Sequence, residues 1–191
     1  MMQLRVLDEA QIRKLHAEQM HRDFPPSELK GVASILALRE RDEYDVLAAE
    51  LNGKMVAYAL IFRPKEGRAL LLDYLAVEPH LRGRGLGTQL LGILCAYYSD
   101  MADALMIECE RPKTAPDIEK ARRRIRFYQR GGAMLTDVRI WLFDVEYSIL
   151  VMPCKEKTME VQGDWAAIML GMYESMLPKA MYDQNVRLIR G

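Results

Sequence analysis

The sequence predicts an α/β fold in which helices flank one mixed sheet, and three observations carry that expectation. Residues 69–110 read in succession as strand, glycine-rich loop, helix and strand. Asn52-Gly53 lies between two β-rich runs, the strongest short-range signal for an antiparallel hairpin. The chain has 191 residues, 50% hydrophobic and 28% charged, which is enough apolar material for one sizeable core and too little length for two full catalytic domains.

Each element follows from local pattern. Gln3–Leu7 alternates as a short strand, and Asp8–His21 carries Ile12, Leu15 and Met20 at helical spacing behind an acidic start. Phe24-Pro25-Pro26 breaks that helix, because proline lacks the N–H and disfavours helix in the residue before it; Ser27 is a good cap for a second helix to about Arg41. Asp45–Leu51 and Met55–Arg63 are the hairpin strands. Ala69–Val77 is a nearly continuous apolar run, expected of a central strand covered on both faces, and it ends at Glu78-Pro79. After the glycines of Arg82–Thr88 a helix runs to Met101, and Ala104–Glu110 is a strand closed by Arg111-Pro112. Ile118–Arg130 is a basic helix ended by Gly131-Gly132, and the strands Met134–Leu142 and Val145–Met152 part near Phe143-Asp144. Lys155–Gln162 is a polar connector. Trp165, Ile168, Met169, Met172 and Met176 then share one face of a last amphipathic helix that ends before Pro178. The domain expected is residues 1–152, with 153–191 as a connector and a helix that packs on it or on a dimer partner.

Twenty-seven Lys and Arg balance 27 Asp and Glu, so no chain-wide field favours nucleic acid or an anionic membrane. Cys95, Cys109 and Cys154 are odd in number and far apart, which suggests neither a disulfide framework nor a zinc ribbon and fits a reducing, cytoplasmic setting. Cys95 in an apolar helix and Cys109 in a strand read as core thiols. The three histidines, His16, His21 and His80, share no ligand spacing, so no metal is expected. Met1–Ala10 has no hydrophobic targeting core, and the longest apolar stretch, near Leu90–Tyr98, is too short to span a bilayer.

The most informative segment is Arg82-Gly83-Arg84-Gly85-Leu86-Gly87-Thr88. Three alternate glycines let the backbone approach a ligand with its N–H groups outward, and the helix that starts there adds unpaired amides and the positive end of its dipole. An anion such as pyrophosphate is the natural guest, with Arg82 or Arg84 as charged support. No Gly-Lys-Ser/Thr follows, so a Walker A loop is excluded, and neither register of the dinucleotide fingerprint has its third glycine.

What the segment does match is R-x-x-G-x-G after a strand ending Leu75-Ala76-Val77. With Tyr128-Gln129-Arg130-Gly131 in the later helix, the chain over residues 3–152 resembles the GNAT superfamily of N-acetyltransferases. That resemblance implies a mixed, mostly antiparallel seven-stranded sheet flanked by helices, with the C-terminal helix as an addition, and acetyl-CoA as acyl donor. It implies that Arg82, Gly83, Arg84, Gly85, Leu86, Gly87 and Thr88 hold the pyrophosphate. It also implies that Leu75, Ala76 and Val77 pair with the pantetheine arm where the sheet splits, and that a backbone N–H near Val77 polarises the thioester carbonyl. Tyr128 is then the acid for the departing thiolate. Ala133 and Ala121 stand where the family commonly has phenylalanine and asparagine.

Transfer to an amine needs a neutral nucleophile, and an alkyl amine has a pKa of about 10, so a carboxylate is wanted to take its proton. Glu108 and Glu110 point the same way from one strand and are the candidates, with Asp73 third. Each has an ordinary reading too: Glu110 paired with Arg111 or a helix arginine, Asp73 facing solvent. Phe24 and Tyr44 are candidates for shaping the acceptor pocket. Eight basic residues against two acidic between Arg111 and Arg130 either attract the CoA phosphates or form a solvated face. The acceptor is a primary amine of a small molecule or a protein. The competing reading is a catalytically silent acyl-CoA-binding sensor or interaction module, since no single base stands out.

Overall fold

The first helix begins where its cap is strongest. Asp8 accepts from the Gln11 amide at 2.9 Å while the Gln11 side chain accepts from the Asp8 amide at 3.0 Å, a reciprocal box that satisfies two amides a helix start leaves unpaired. Strand β1 (Gln3–Val6) precedes it and α1 (Glu9–Leu15) follows, continuing through a π turn at His16–Met20 into the short α2 (His21–Asp23). The computed structural model describes residues 1–154 and 164–189; the polar connector expected at 155–162 lies outside the described residues.

Ser27 does not cap the next helix. Pro26–Glu28 forms a 3-10 turn, the chain stays extended through Leu29, and α3 (Val32–Glu40) starts behind Gly31. The reason is tertiary: the Tyr74 hydroxyl donates to the Glu28 carbonyl at 2.6 Å and accepts from the Lys30 amide at 2.9 Å, holding residues 28–30 off the helical path. The hairpin pairs β2 (Tyr44–Leu51) with β3 (Lys54–Phe62), and Asn52 and Gly53 both have positive φ, 52° and 73°, as a tight primed turn requires. Then come β4 (Ala69–Val77), α4 (Leu86–Tyr98), β5 (Ala104–Glu110), α5 (Ile118–Arg130), β6 (Met134–Leu142) and β7 (Val145–Pro153). Among the described residues the C-terminal part adds more than the single helix expected: α6 (Trp165–Met176), α7 (Lys179–Asn185) and an eighth strand, β8 (Val186–Leu188).

The chain divides into two compact units, Met1–Lys65 with Asp73–Leu90, and Glu66–Leu72 with Leu91–Gly191. In the first, β1, β2, β3 and the end of β4 follow in order, and β2 is antiparallel to both β1 and β3. Val56–Phe62 is buried at every residue, so β3 is covered on both faces. In the second, the order is the start of β4, then β5, β7, β6 and β8. The one parallel ladder described joins Ala69–Leu72 to Ala104–Ile107, while β5 with β7, β6 with β7, and β6 with β8 are antiparallel. The sheet is therefore mixed and mostly antiparallel, with eight strands where seven were expected. No described helix is long and apolar enough to cross a membrane.

Candidate functional site

The predicted residues divide between the units. In the first, β4 runs out at Val77, Pro79–Leu81 makes a 3-10 turn, and the glycine loop delivers the chain to α4. Gly83 and Gly85 sit at φ 78° and 79°, where an L side chain is strained, with open space around both Cα atoms. The Gln89 amide bonds to the Gly85 carbonyl at 3.0 Å, so Leu86, Gly87 and Thr88 form the first turn, whose amides have no carbonyl one turn earlier in the helix. The backbone amides of this first turn are the ones a helix start leaves without a carbonyl partner inside the helix.

Arg82 has partners of its own within this unit. Its guanidinium donates to the Val77 carbonyl at 3.0 Å and to Asp23 at 2.7 Å, so it ties the loop to the strand end. Asp23, whose carboxylate is 2% exposed, also receives Arg22 at 2.9 Å and the Tyr58 hydroxyl at 3.0 Å, and Arg22 reaches on to Glu78 at 3.1 Å. Burial and the neighbouring Asp23 charge push the Tyr58 phenol well up. The hydrogen bond that Arg22 donates to Asp23 pushes Arg22 up as well, against its desolvation. Arg84 is exposed.

Asp73 does not face solvent. Its carboxylate is 6% exposed, pairs with Lys30 at 2.8 Å and accepts from the Tyr44 hydroxyl. Phe24 packs edge-on against Tyr74 at 4.9 Å, and Lys30 lies 5.6 Å from the centre of the same ring. The three residues proposed from sequence for the acceptor side, Phe24, Tyr44 and Asp73, thus belong to one cluster. Lys30 neutralises Asp73 in it and was missed, since a lone lysine after Pro-Pro-Ser-Glu-Leu carries no sequence signal.

In the second unit, β5 alternates as expected: Cys109 is buried while Glu108 and Glu110 are half-buried on the other face. The ladder with β4 ends at Ile107, whereas the ladder with β7 continues to Glu110. Arg111 pairs with Glu146 at 2.6 Å rather than with Glu110. Glu108 accepts from the Tyr173 hydroxyl of α6 at 2.6 Å. Tyr173 lies on the same buried face as Met169, Met172 and Met176; the predicted stripe contained the methionines and omitted the tyrosine between them.

Helix α5 starts at Asp117, which accepts from the Lys120 amide at 2.8 Å, and buries Ala121, Ile125 and Tyr128 at one-face spacing. Burial is the main cause that pushes the Tyr128 phenol up, the nearby Cys109 thiol adds to it and Arg124 opposes it. Tyr128 is therefore a protonated phenol at every physiological pH, close enough to Cys109 to feel its thiol. Burial likewise pushes the Cys109 thiol up to about 12. A thiol raised by folding stabilises the fold fully below its unfolded pKa of about 8.5, and that stability is lost as pH rises through the folded value. Melting temperature is accordingly expected to fall from about pH 9 upward, and Cys109→Ala should flatten that alkaline slope. Cys95 and Cys154 are 3.3 Å apart, thiol to thiol. Among the described residues no cluster of His, Cys, Asp and Glu is arranged to hold a metal.

A glycine turn feeding a helix start at the end of a sheet strand is a geometry that can hold an anion through backbone amides. The sequence matches the acetyltransferase (GNAT) family over residues 10–132, more than half of the chain, and the protein belongs to that family. It is an acyl-CoA-dependent acyltransferase acting on an amine. Solved structures share its fold. A GNAT-family protein of Bacteroides thetaiotaomicron is 20% identical with a TM-score of 0.72, covering 90% of this chain and 96% of that one. The ribosomal-protein-S18-alanine N-acetyltransferase of Escherichia coli is 18% identical with a TM-score of 0.59, covering 85% and 100%. The yncA protein of Salmonella typhimurium, solved with its cofactor acetyl-CoA, is 18% identical with a TM-score of 0.58, covering 82% and 96%. No curated protein matches the sequence.

Proposed function

We propose that the protein transfers an acetyl group from acetyl-CoA directly to a primary amine, with Glu108 as base and Tyr128 as donor to the leaving sulfur. The observation that carries the donor half is the Gly83–Gly85 turn, whose positive φ angles and open surroundings fit a diphosphate held by the amides of Leu86, Gly87 and Thr88. Arg84 adds charge there, and Arg82 acts by fixing the Val77 carbonyl so that Leu75, Ala76 and Val77 present a constant backbone edge. When bound, acetyl-CoA supplies an activated thioester carbonyl, and a backbone N–H near Val77 polarises it.

Glu108 takes the proton from the incoming ammonium, directly or through a water, because its carboxylate is already oriented by a hydrogen bond. Glu110 lies on the same face and has no such tether among the described residues. Tyr128, its phenol held protonated by burial, donates to the sulfur as negative charge develops. A free thiol has a pKa of about 8.5, so the phenol serves as a hydrogen-bond donor to the thiolate more than as a source of a fully transferred proton. Phe24, Tyr44 and Asp73 shape the acceptor side, with Asp73 neutralised by Lys30 and hence not the base. The acceptor is a small-molecule or protein amine rather than nucleic acid or a membrane surface, and the setting is cytoplasmic, as three widely spaced cysteines, odd in number, suit. Residues 1–152 form the acyltransferase domain, and α6 and β8 join it within the same chain.

Glu108→Gln is expected to lower kcat about a hundredfold with little change in KM for acetyl-CoA, whereas Glu110→Gln leaves kcat within a factor of a few. Steady-state thiol release against an accepted amine reads both. A full rate in Glu108→Gln would remove it as the base.

A further inference from the structure

We infer that Tyr173, on helix α6, is a positioning residue for acyl transfer and acts through Glu108; this rests on the assignment of Glu108 as the base. Residue 173 lies well beyond residue 132, where the family match ends, so the C-terminal segment contributes to the catalytic constellation. The Tyr173 hydroxyl donates to Glu108 Oε1 at 2.6 Å, the length of a charge-assisted O–H to carboxylate bond. Tyr173 is 4% exposed, which keeps water from competing for that bond.

The position of the hydroxyl is itself fixed. Asp164 caps α6 by accepting from the Ala167 amide at 3.0 Å, and Met169, Met172 and Met176 bury the face that carries Tyr173. The Leu177 amide closes the helix on the Tyr173 carbonyl at 3.0 Å. A glutamate has three side-chain rotors, and a base must be held close to its productive geometry before the amine arrives. One bond from a packed helix to one carboxylate oxygen restricts those rotors, and neither bonding partner belongs to the donor loop. Loss of the bond should therefore slow proton removal and leave acetyl-CoA binding as it was.

The test is a double-mutant cycle in the full chain: wild type, Tyr173→Phe, Glu108→Gln and the double variant. Rates are referred to acetyl-CoA binding sites counted by calorimetry, so that a partly unfolded sample does not pass for a slow enzyme. Tyr173→Phe is expected to lower kcat about tenfold, as loss of one hydrogen bond to a charged group would. KM and Kd for acetyl-CoA should stay unchanged. In the Glu108→Gln background the same change should have no further effect on kcat. An unchanged kcat for Tyr173→Phe, or the same loss in both backgrounds, overturns the inference while the base assignment stands. A full rate in Glu108→Gln overturns the base assignment, and the inference falls with it.

Discussion

Gly85→Asp is expected to bind acetyl-CoA at least about a hundredfold more weakly than the wild type, with its fold retained. The loss does not come from a clash, because a side chain at this position meets open space. It comes from two other terms. At φ 79° an L residue is strained by roughly 1–2 kcal/mol, which shifts the turn away from the shape that aims its amides. A carboxylate beside a diphosphate adds a repulsion of about 1–4 kcal/mol at contact distance near a protein surface. Together these come to roughly 2–6 kcal/mol, with a middle value of about 4 that is above the ~2.7 kcal/mol a hundredfold requires. Gly85→Ala isolates the first term and should weaken binding about tenfold. Calorimetric titration with acetyl-CoA reads both; binding in Gly85→Asp as tight as in the wild type would show that the phosphates lie elsewhere.

Tyr128→Phe is expected to reduce kcat about a hundredfold while leaving acetyl-CoA affinity nearly intact. The ring packs on the buried face of α5 with Ala121 and Ile125, and phenylalanine preserves that packing. What is lost is a donor whose pKa burial has raised, so that it is never ionised in the working range. The effect should appear in kcat rather than in KM, since charge on the sulfur exists only once the thioester bond is breaking. An unchanged kcat would take Tyr128 out of the acid role.

Periodicity made most of this fold legible. Ala69–Val77, Ala104–Glu110, Ile118–Arg130 and Met134–Leu142 have the bounds read from apolar runs and from the glycine and proline residues that punctuate them. Where the reading failed, a distant residue decided the local structure. Ser27 is a sound cap in isolation, but Tyr74 binds the backbone at residues 28 and 30 and displaces the helix start to Val32. Strand β8 has three residues and exists because β6 offers Ile140–Leu142 as an edge, which no pattern within Val186–Leu188 announces.

The site was legible to the same depth. Alternation placed Glu108 and Glu110 on one face and Cys109 on the other, and the spacing of glycines located the turn. Partners were not legible, because pairings such as Arg82 with Asp23, Asp73 with Lys30 and Glu108 with Tyr173 join residues 43 to 65 positions apart. Charge type and the glycine motif gave Arg82 to the phosphates, and neither announces the bonds its side chain makes to the Val77 carbonyl and Asp23.

The most direct test of an acyl-CoA-dependent N-acyltransferase is calorimetric titration of the full chain with acetyl-CoA and free CoA, coupled to thiol release against a panel of primary amines. The expected result is one acetyl-CoA bound per chain and thiol release that depends on the amine. Absence of acetyl-CoA binding would contradict it, and binding without release across small amines and amine-bearing peptides would contradict the transfer chemistry assigned to Glu108 and Tyr128.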